Sequence, residues 1–285
     1  MRDMKRVLYI ILLVMLAACD SDYGITTQQP ALVVEGWIED GGFPVVILSQ
    51  TIPVSKESQN MDDLIDYVIR WAKVTVSDGT DSVVLIGKYD DGYFPPYIYT
   101  TGRMRGRSGK TYSLTVDYKD YHAEATTSIP ERPQLDSFKI EKCATSDSLL
   151  QMTVYFTDPP QQKNYYQLFT RVGTTNKQYV GAYLGSINDN VTSTHIEAPV
   201  FRGHELAINT YTPYYSVNDT VSIKLAQVDS VAFRFWDQYT KDQSLSTNLF
   251  LSTATNIPTN VVGATGYWCG MGAVERHFIM ADYWK

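Results

Sequence analysis

From Ala31 onward the chain is written in short runs, each closed by a turn, and this rhythm constrains its fold more than anything else in the sequence. ALVVEGWIE (31–39) is followed by the turn DGGFP and then by VVILSQTIPV (45–54). KVTVS and SVVLIGKY flank Asp78-Gly79-Thr80-Asp81, a hairpin signal. A second Asp-Gly turn, Asp91-Gly92, leads to YIYTT, GRSGK, TYSLTVDY and HAEATTSIP. Tyr112, Leu114, Val116 and Tyr118 alternate with polar residues, so one face of that strand is buried. About seven such strands, with turns every ~8–12 residues, predict a β-sandwich of immunoglobulin-like or transthyretin-like type over residues 31–130.

Ile129-Pro130-Glu131-Arg132-Pro133 breaks the rhythm. Two prolines fix an extended connector, and the domain boundary is placed there. Beyond it, DSFKIEK, LLQMTVYFTD, NYYQLFTRVG and KQYVGAYLG again read as strands. From Asp229 to Gln243 the period changes: Val228, Val231, Phe235 and Tyr239 recur at helical spacing, with Asp229 or Ser230 as N-cap. Residues 131–285 therefore read as a second, β-rich (α+β) domain with one amphipathic helix whose aromatic stripe belongs to the core. The glycines of GYWCGMG (266–272) are expected to let the backbone turn tightly near the C-terminus.

The chain has 44% hydrophobic and 19% charged residues, which suits a packed core and excludes disorder. Ahead of that core stands a different kind of segment. Arg2, Lys5 and Arg6 precede an unbroken apolar run, Val7 to Ala18, too short to span a bilayer core, which takes ~20 residues. It has the flanks of a signal peptide (residues 1–18). Leu16-Ala17-Ala18-Cys19 resembles the bacterial lipobox, in which the cysteine is lipidated and becomes the mature N-terminus. Several acyl chains on Cys19 would hold the chain firmly to a membrane. Residues 19–30 are polar and read as a tether.

Sequence chemistry is sparse. The net charge of −7 argues against a nucleic-acid partner. His122, His195, His204 and His277 are scattered, so neither a zinc site nor any other metal or cofactor is expected. Cys143 and Cys269 are either two buried thiols or one disulfide. Asp62-Asp63 and Asp90-Asp91 are candidate calcium-holding acids, but adjacent loop acids are ordinarily solvated. His204-Glu205 lacks a nucleophile beside it, and no G-x-S-x-G, HExxH or P-loop occurs. No catalytic residue is predicted, and the chain reads as a non-enzyme. Four Asp-Ser/Thr-aliphatic triplets start at Asp81, Asp147, Asp219 and Asp229 and look like acceptor sites for O-glycosylation. Among the 21 tyrosines, Tyr211, Tyr214 and Tyr215 crowd around Pro213 without strand or helix spacing, and they are the candidate ligand- or partner-binding residues.

The layout as a whole resembles the Bacteroidetes lipoproteins grouped as the domain of unknown function 4249 family. The resemblance rests on the lipobox, VVEGWIED, the VTVSDG hairpin, GKTYSLTVDY before TSIPERPQLDS, NYYQLF, and the closing PTNVVGATGYWCGMGAV. In that last run Trp268 stands where the family usually has phenylalanine. The resemblance implies an outer-membrane lipoprotein, surface-exposed or facing the periplasm, that accompanies a TonB-dependent importer. It carries no catalytic residues with it. Asp20 and Asp22 after Cys19 are similar to the export signal of such proteins, with the inner leaflet as the alternative. The expected function is a non-catalytic binding or accessory role in nutrient uptake, with a glycan or peptide as ligand. The alternatives are a glycan- or peptide-acting hydrolase and a purely structural envelope protein.

Overall fold

A computed structural model describes residues 31–51, 65–144, 146, 148–160, 163–188, 194–204, 211–242 and 257–284. Cys19, the signal segment, the tether, Asp62-Asp63 and Glu205 lie outside these residues. The fold is mainly β, with seventeen strands, two short 3-10 turns and one α-helix among the described residues.

The N-terminal strands are β1 (Leu32–Glu39), β2 (Val45–Gln50), β3 (Lys73–Ser77), β4 (Ser82–Val84), β5 (Ile86–Tyr89), β6 (Tyr97–Thr100), β7 (Thr111–Tyr118) and β8 (Tyr121–Ser128). After the connector come β9 (Gln134–Lys142), β10 (Leu149–Thr157), β11 (Tyr165–Val172), β12 (Val180–Asn188), β13 (His195–Pro199), β14 (Tyr215–Ser216) and β15 (Thr220–Gln227). Helix α1 (Ser230–Asp242), β16 (Val261–Val262) and β17 (Thr265–Ile279) complete the chain. SVVLIGKY, which reads as one strand in the sequence, is divided: β4 and β5 lie in different sheets, and buried Leu85 sits at the crossing.

One eight-stranded sheet runs β12-β11-β15-β17-β1-β2-β6-β5 through the whole molecule. Its centre is β17. The first part of β17, Thr265 to Met271, pairs parallel with β1, and the rest, Gly272 to Ile279, pairs antiparallel with β15. Two smaller sheets cover one face of the large one. The sheet β16-β8-β7-β3-β4 closes a core of Val34, Ile38, Leu48, Val74, Leu114 and Trp268. The sheet β13-β10-β14, with β9 beside β10, closes a second core of Val154, Phe156, Leu168, Tyr215, Ile223 and Phe278.

The molecule is thus two β-sandwiches side by side on one shared sheet. A division at residue 130 places both ends of β17 in the second domain, whereas β16 and the start of β17 complete the first sandwich. The connector explains the glycines of GYWCGMG, which do not form a tight turn. β17 runs straight through Gly270 and Gly272, and a Cβ there would lie 2.4 Å from the Ser128 carbonyl and 2.3 Å from that of Pro130. The chain passing from one sandwich to the other crosses the sheet at these two positions. Gly266 differs: its φ is +117°, and a Cβ would meet the Val34 carbonyl.

The opposite face of the large sheet carries α1. Asp229 is its N-cap, accepting from the Val231 and Ala232 amides at 2.9 and 2.8 Å. Its other carboxylate oxygen takes the Thr127 hydroxyl at 2.9 Å, and that hydroxyl accepts the Gly270 amide at 2.8 Å. Phe233, Phe235 and Trp236 pack on Phe169, Tyr267, Cys269 and Met271, so the aromatic stripe is core, as the spacing predicts. Among the described residues no helix is long and apolar enough to cross a membrane.

Candidate functional site

Helix α1 covers only part of its face of the sheet, and the uncovered part is a cleft of about 580 Å³ where the two sandwiches meet. This lies within the range of small-molecule sites. Strand alternation supplies the floor. Trp37 and Glu39 on β1, Val45 on β2, and Ile98 and Thr100 on β6 come from the first sandwich. Phe169 and Arg171 on β11, Lys224 on β15 and Glu275 on β17 come from the second. The Trp236 ring forms the margin on the helix side.

One wall is a clasp between the sandwiches. The Lys177 and Gln178 amides donate to the Gly92 carbonyl at 2.8 and 3.3 Å, and the Phe94 amide donates to Gln178 Oε1 at 2.9 Å. Asp90 accepts from Lys177 at 2.8 Å and pairs with Lys88 at 3.3 Å. The Lys177 hydrogen bond outweighs desolvation and holds the Asp90 carboxyl below the usual range. This acid is therefore partnered by lysines rather than arranged with Asp91 around calcium.

Lys224 sits deep in the floor, 5% exposed, between Ile223 and Leu225 on β15. It is hydrogen-bonded to Glu39 as an ion pair, lies 3.2 Å from Glu275, and stands over the Tyr179 ring at 4.1 Å. A buried ammonium needs such partners. Burial pushes the Glu275 carboxyl up, but the Lys224 charge, with hydrogen bonds from Lys224 and Tyr179, more than reverses this and leaves it low. Arg171 stacks on the same tyrosine at 4.7 Å. Trp37 and Tyr93 form a tilted ring pair, with centroids 6.2 Å apart. Glu35, next to Trp37 on the same face of β1, is buried without a charged partner among the described residues, and desolvation raises its pKa to about 7.

The tyrosines singled out in the sequence lie elsewhere and are not alike. Tyr215 is fully buried in the second core, so it is no surface contact. It forms β14, paired with Leu150, which turns its ring inward. Tyr211 and Tyr214 are half-buried in an aromatic cluster: Tyr211 stacks on His204 with centroids 3.7 Å apart and its hydroxyl donates to the Arg202 carbonyl, and Tyr214 meets Phe201 edge-on. They support each other more than they face solvent.

A second groove, on the outer surface of the β9-β10-β13 sheet, brings Asp136, Thr157 and His195 together. Thr157 donates to Asp136 at 2.8 Å and lies 3.4 Å from His195 Nδ1. The hydroxyl stands between acid and imidazole, whereas nucleophilic catalysis needs the imidazole in the middle. Cys143 and Cys269 are separate buried thiols, and burial raises Cys269 well above the ordinary thiol range. Among the described residues no group of three or more His, Cys, Asp or Glu converges as a metal site.

Sequence reasoning missed the cleft because its residues come from seven strands, four loops and the helix. The available signals were Glu35 and Glu39 flanking Trp37 on one face of an apolar strand, and Lys224 inside SIKLAQV. Comparison with curated proteins gives no match. The family described as Domain of unknown function (DUF4249) matches residues 20–276, which takes in nearly all of both sandwiches, most of the shared strand and every residue of the cleft, and the chain belongs to that family.

Proposed function

We propose that the chain is a non-catalytic lipoprotein of the bacterial outer membrane, of the kind found in Bacteroidetes, that holds a ligand in the inter-sandwich cleft as an accessory of a TonB-dependent importer. The observation that carries the reading is the cleft itself. It is concave, drug-sized, lined by aromatic rings with a few placed charges, and built from both sandwiches at once. Leu16-Ala17-Ala18-Cys19 after an apolar run supports the anchor, and Asp20 and Asp22 favour the outer membrane. In the described grooves, hydroxyls, acids and imidazoles are arranged as hydrogen-bonded ladders or ion pairs, which favours binding over turnover.

The test is affinity purification of tagged full-length chain from native membranes, with a parallel screen of glycan and peptide turnover. The reading expects one outer-membrane transporter to co-purify in constant ratio, and no turnover. Turnover abolished by a single acidic substitution would establish a hydrolase instead, and a chain recovered alone from gently solubilised membranes would remove the importer.

A further inference from the structure

The charges of the cleft are matched with one exception. Lys224 has Glu39 and Glu275, while Lys88 and Lys177 share Asp90. Arg171 has no carboxylate within ion-pair distance among the described residues. Its Nη2 donates to the Ser222 hydroxyl at 3.1 Å, its plane lies over Tyr179, and its buried Nε has no hydrogen-bond partner among the described residues. A guanidinium drawn partly out of water, with donors left over, is a ready receptor for a carboxylate, whose two oxygens match its fork. Across the cleft stands Tyr93, close enough to feel the Arg171 charge, with its ring against Trp37. In the sheet between Arg171 and Trp37 stand Lys224 and Glu275, and beyond Trp37 the floor is Val45 and Ile98, which pack with Trp37 and Tyr93.

We propose that the cleft binds a small monocarboxylate carried on a ring-bearing body, with Arg171 taking the carboxylate and the Trp37–Tyr93 pair taking the ring. This deepens the function proposed above and rests on it. The net charge of −7 selects against polyanions: a chain that repels anions at a distance admits a single negative charge only where a direct contact compensates. The same chemistry has two sources. One is a short peptide or amino-acid derivative with a free C-terminal carboxylate beside an aromatic side chain, and the other is a single uronic acid residue, whose pyranose ring stacks on aromatic faces.

Calorimetry on the full-length, detergent-solubilised chain with two matched pairs of probes tests this: N-acetylphenylalanine against its amide, and methyl glucuronide against methyl glucoside. One acid of the two should bind saturably, its neutral partner about tenfold or more weaker, and added salt should weaken the acid. Binding of N-acetylphenylalanine identifies the peptide source, and binding of the glucuronide the saccharide source. Arg171→Gln should lose the acid's advantage, while Arg171→Lys, which keeps charge without the fork, should retain part of it. If either variant fails to fold, the matched probes on the wild-type chain still decide. Equal binding of acid and neutral partner overturns the assignment, as does full affinity in folded Arg171→Gln or no binding of either acid at millimolar concentration. Each of these results leaves transporter co-purification untouched, so the anion assignment and the accessory role fail separately.

Discussion

Lys224 and Glu39 form a hydrogen-bonded ion pair across 185 residues of chain, and the pair joins the two sandwiches at the floor of the cleft. Lys224→Met removes the cation and leaves Glu39 and Glu275 facing each other without it. Losing one partner of a buried pair costs about 3–5 kcal/mol. The expected result is a large drop in denaturation midpoint, partly recovered in Lys224→Met/Glu39→Gln. A midpoint within error of wild type would show that the pair does not hold the sandwiches together.

Trp268 links the shared strand to the first sandwich: it is fully buried, and its indole N–H donates to the Tyr112 carbonyl at 3.0 Å. Trp268→Ala should cost about 3–5 kcal/mol in chemical denaturation. Trp268→Phe, the residue usual in the family resemblance, should cost less because it keeps the ring and forfeits the hydrogen bond.

Gly272 lies under the Pro130 and Glu131 carbonyls, and a Cβ would approach them to 2.3 and 2.4 Å. Neither contact is the end of a flexible side chain, so Gly272→Ala must displace the connector. A loss of roughly 1–3 kcal/mol is expected by thermal denaturation. Gly109→Ala, where a Cβ meets nothing within 4 Å, tests the backbone alone, since its φ is +77°.

Glu35 gives the fold a pH dependence of defined sign. Its folded pKa of about 7 lies above the carboxyl's ordinary 4.5, so between these values the folded state binds the extra proton. Stability is therefore highest below about pH 4.5 as far as this group is concerned, falls as pH rises toward 7, and is level above that. The full effect is on the order of 3 kcal/mol. Glu35→Gln should flatten that part of the profile and raise stability at pH 8. An unchanged profile in the variant would show that Glu35 is solvated or paired in the folded protein.

Tyr215 separates packing from recognition. Its hydroxyl is buried without a hydrogen-bond partner among the described residues, so Tyr215→Phe should be neutral or stabilising, whereas Tyr215→Ala should cost ~3–5 kcal/mol. Denaturation midpoints of the two variants decide.

Much of the fold is legible in the sequence, because strand alternation and turn residues are local. The 78–81 hairpin, the alternation of β7 and the helix after Asp229 all follow from spacing within a few residues. The shared sheet does not, because the pairing of Trp37 with Cys269 is a long-range parallel register that no local pattern marks. The same reason hides the cleft. Lys224 is one more lysine in a strand until Glu39 is placed beside it, and the lack of a carboxylate at Arg171 shows only once the acids around it are placed against other cations. Tyr215 misleads in the opposite sense: a proline-bearing loop suggests exposure, but two residues of β14 are enough to turn the ring into the core.

The account centres on the cleft as the place where a ligand sits. Native mass spectrometry of the full-length chain, purified from its own envelope in parallel with Trp37→Ala/Arg171→Gln, tests this most directly. The account predicts a small molecule retained on the wild-type chain and absent from the folded variant. The same adduct carried equally by both would place the ligand elsewhere and contradict it.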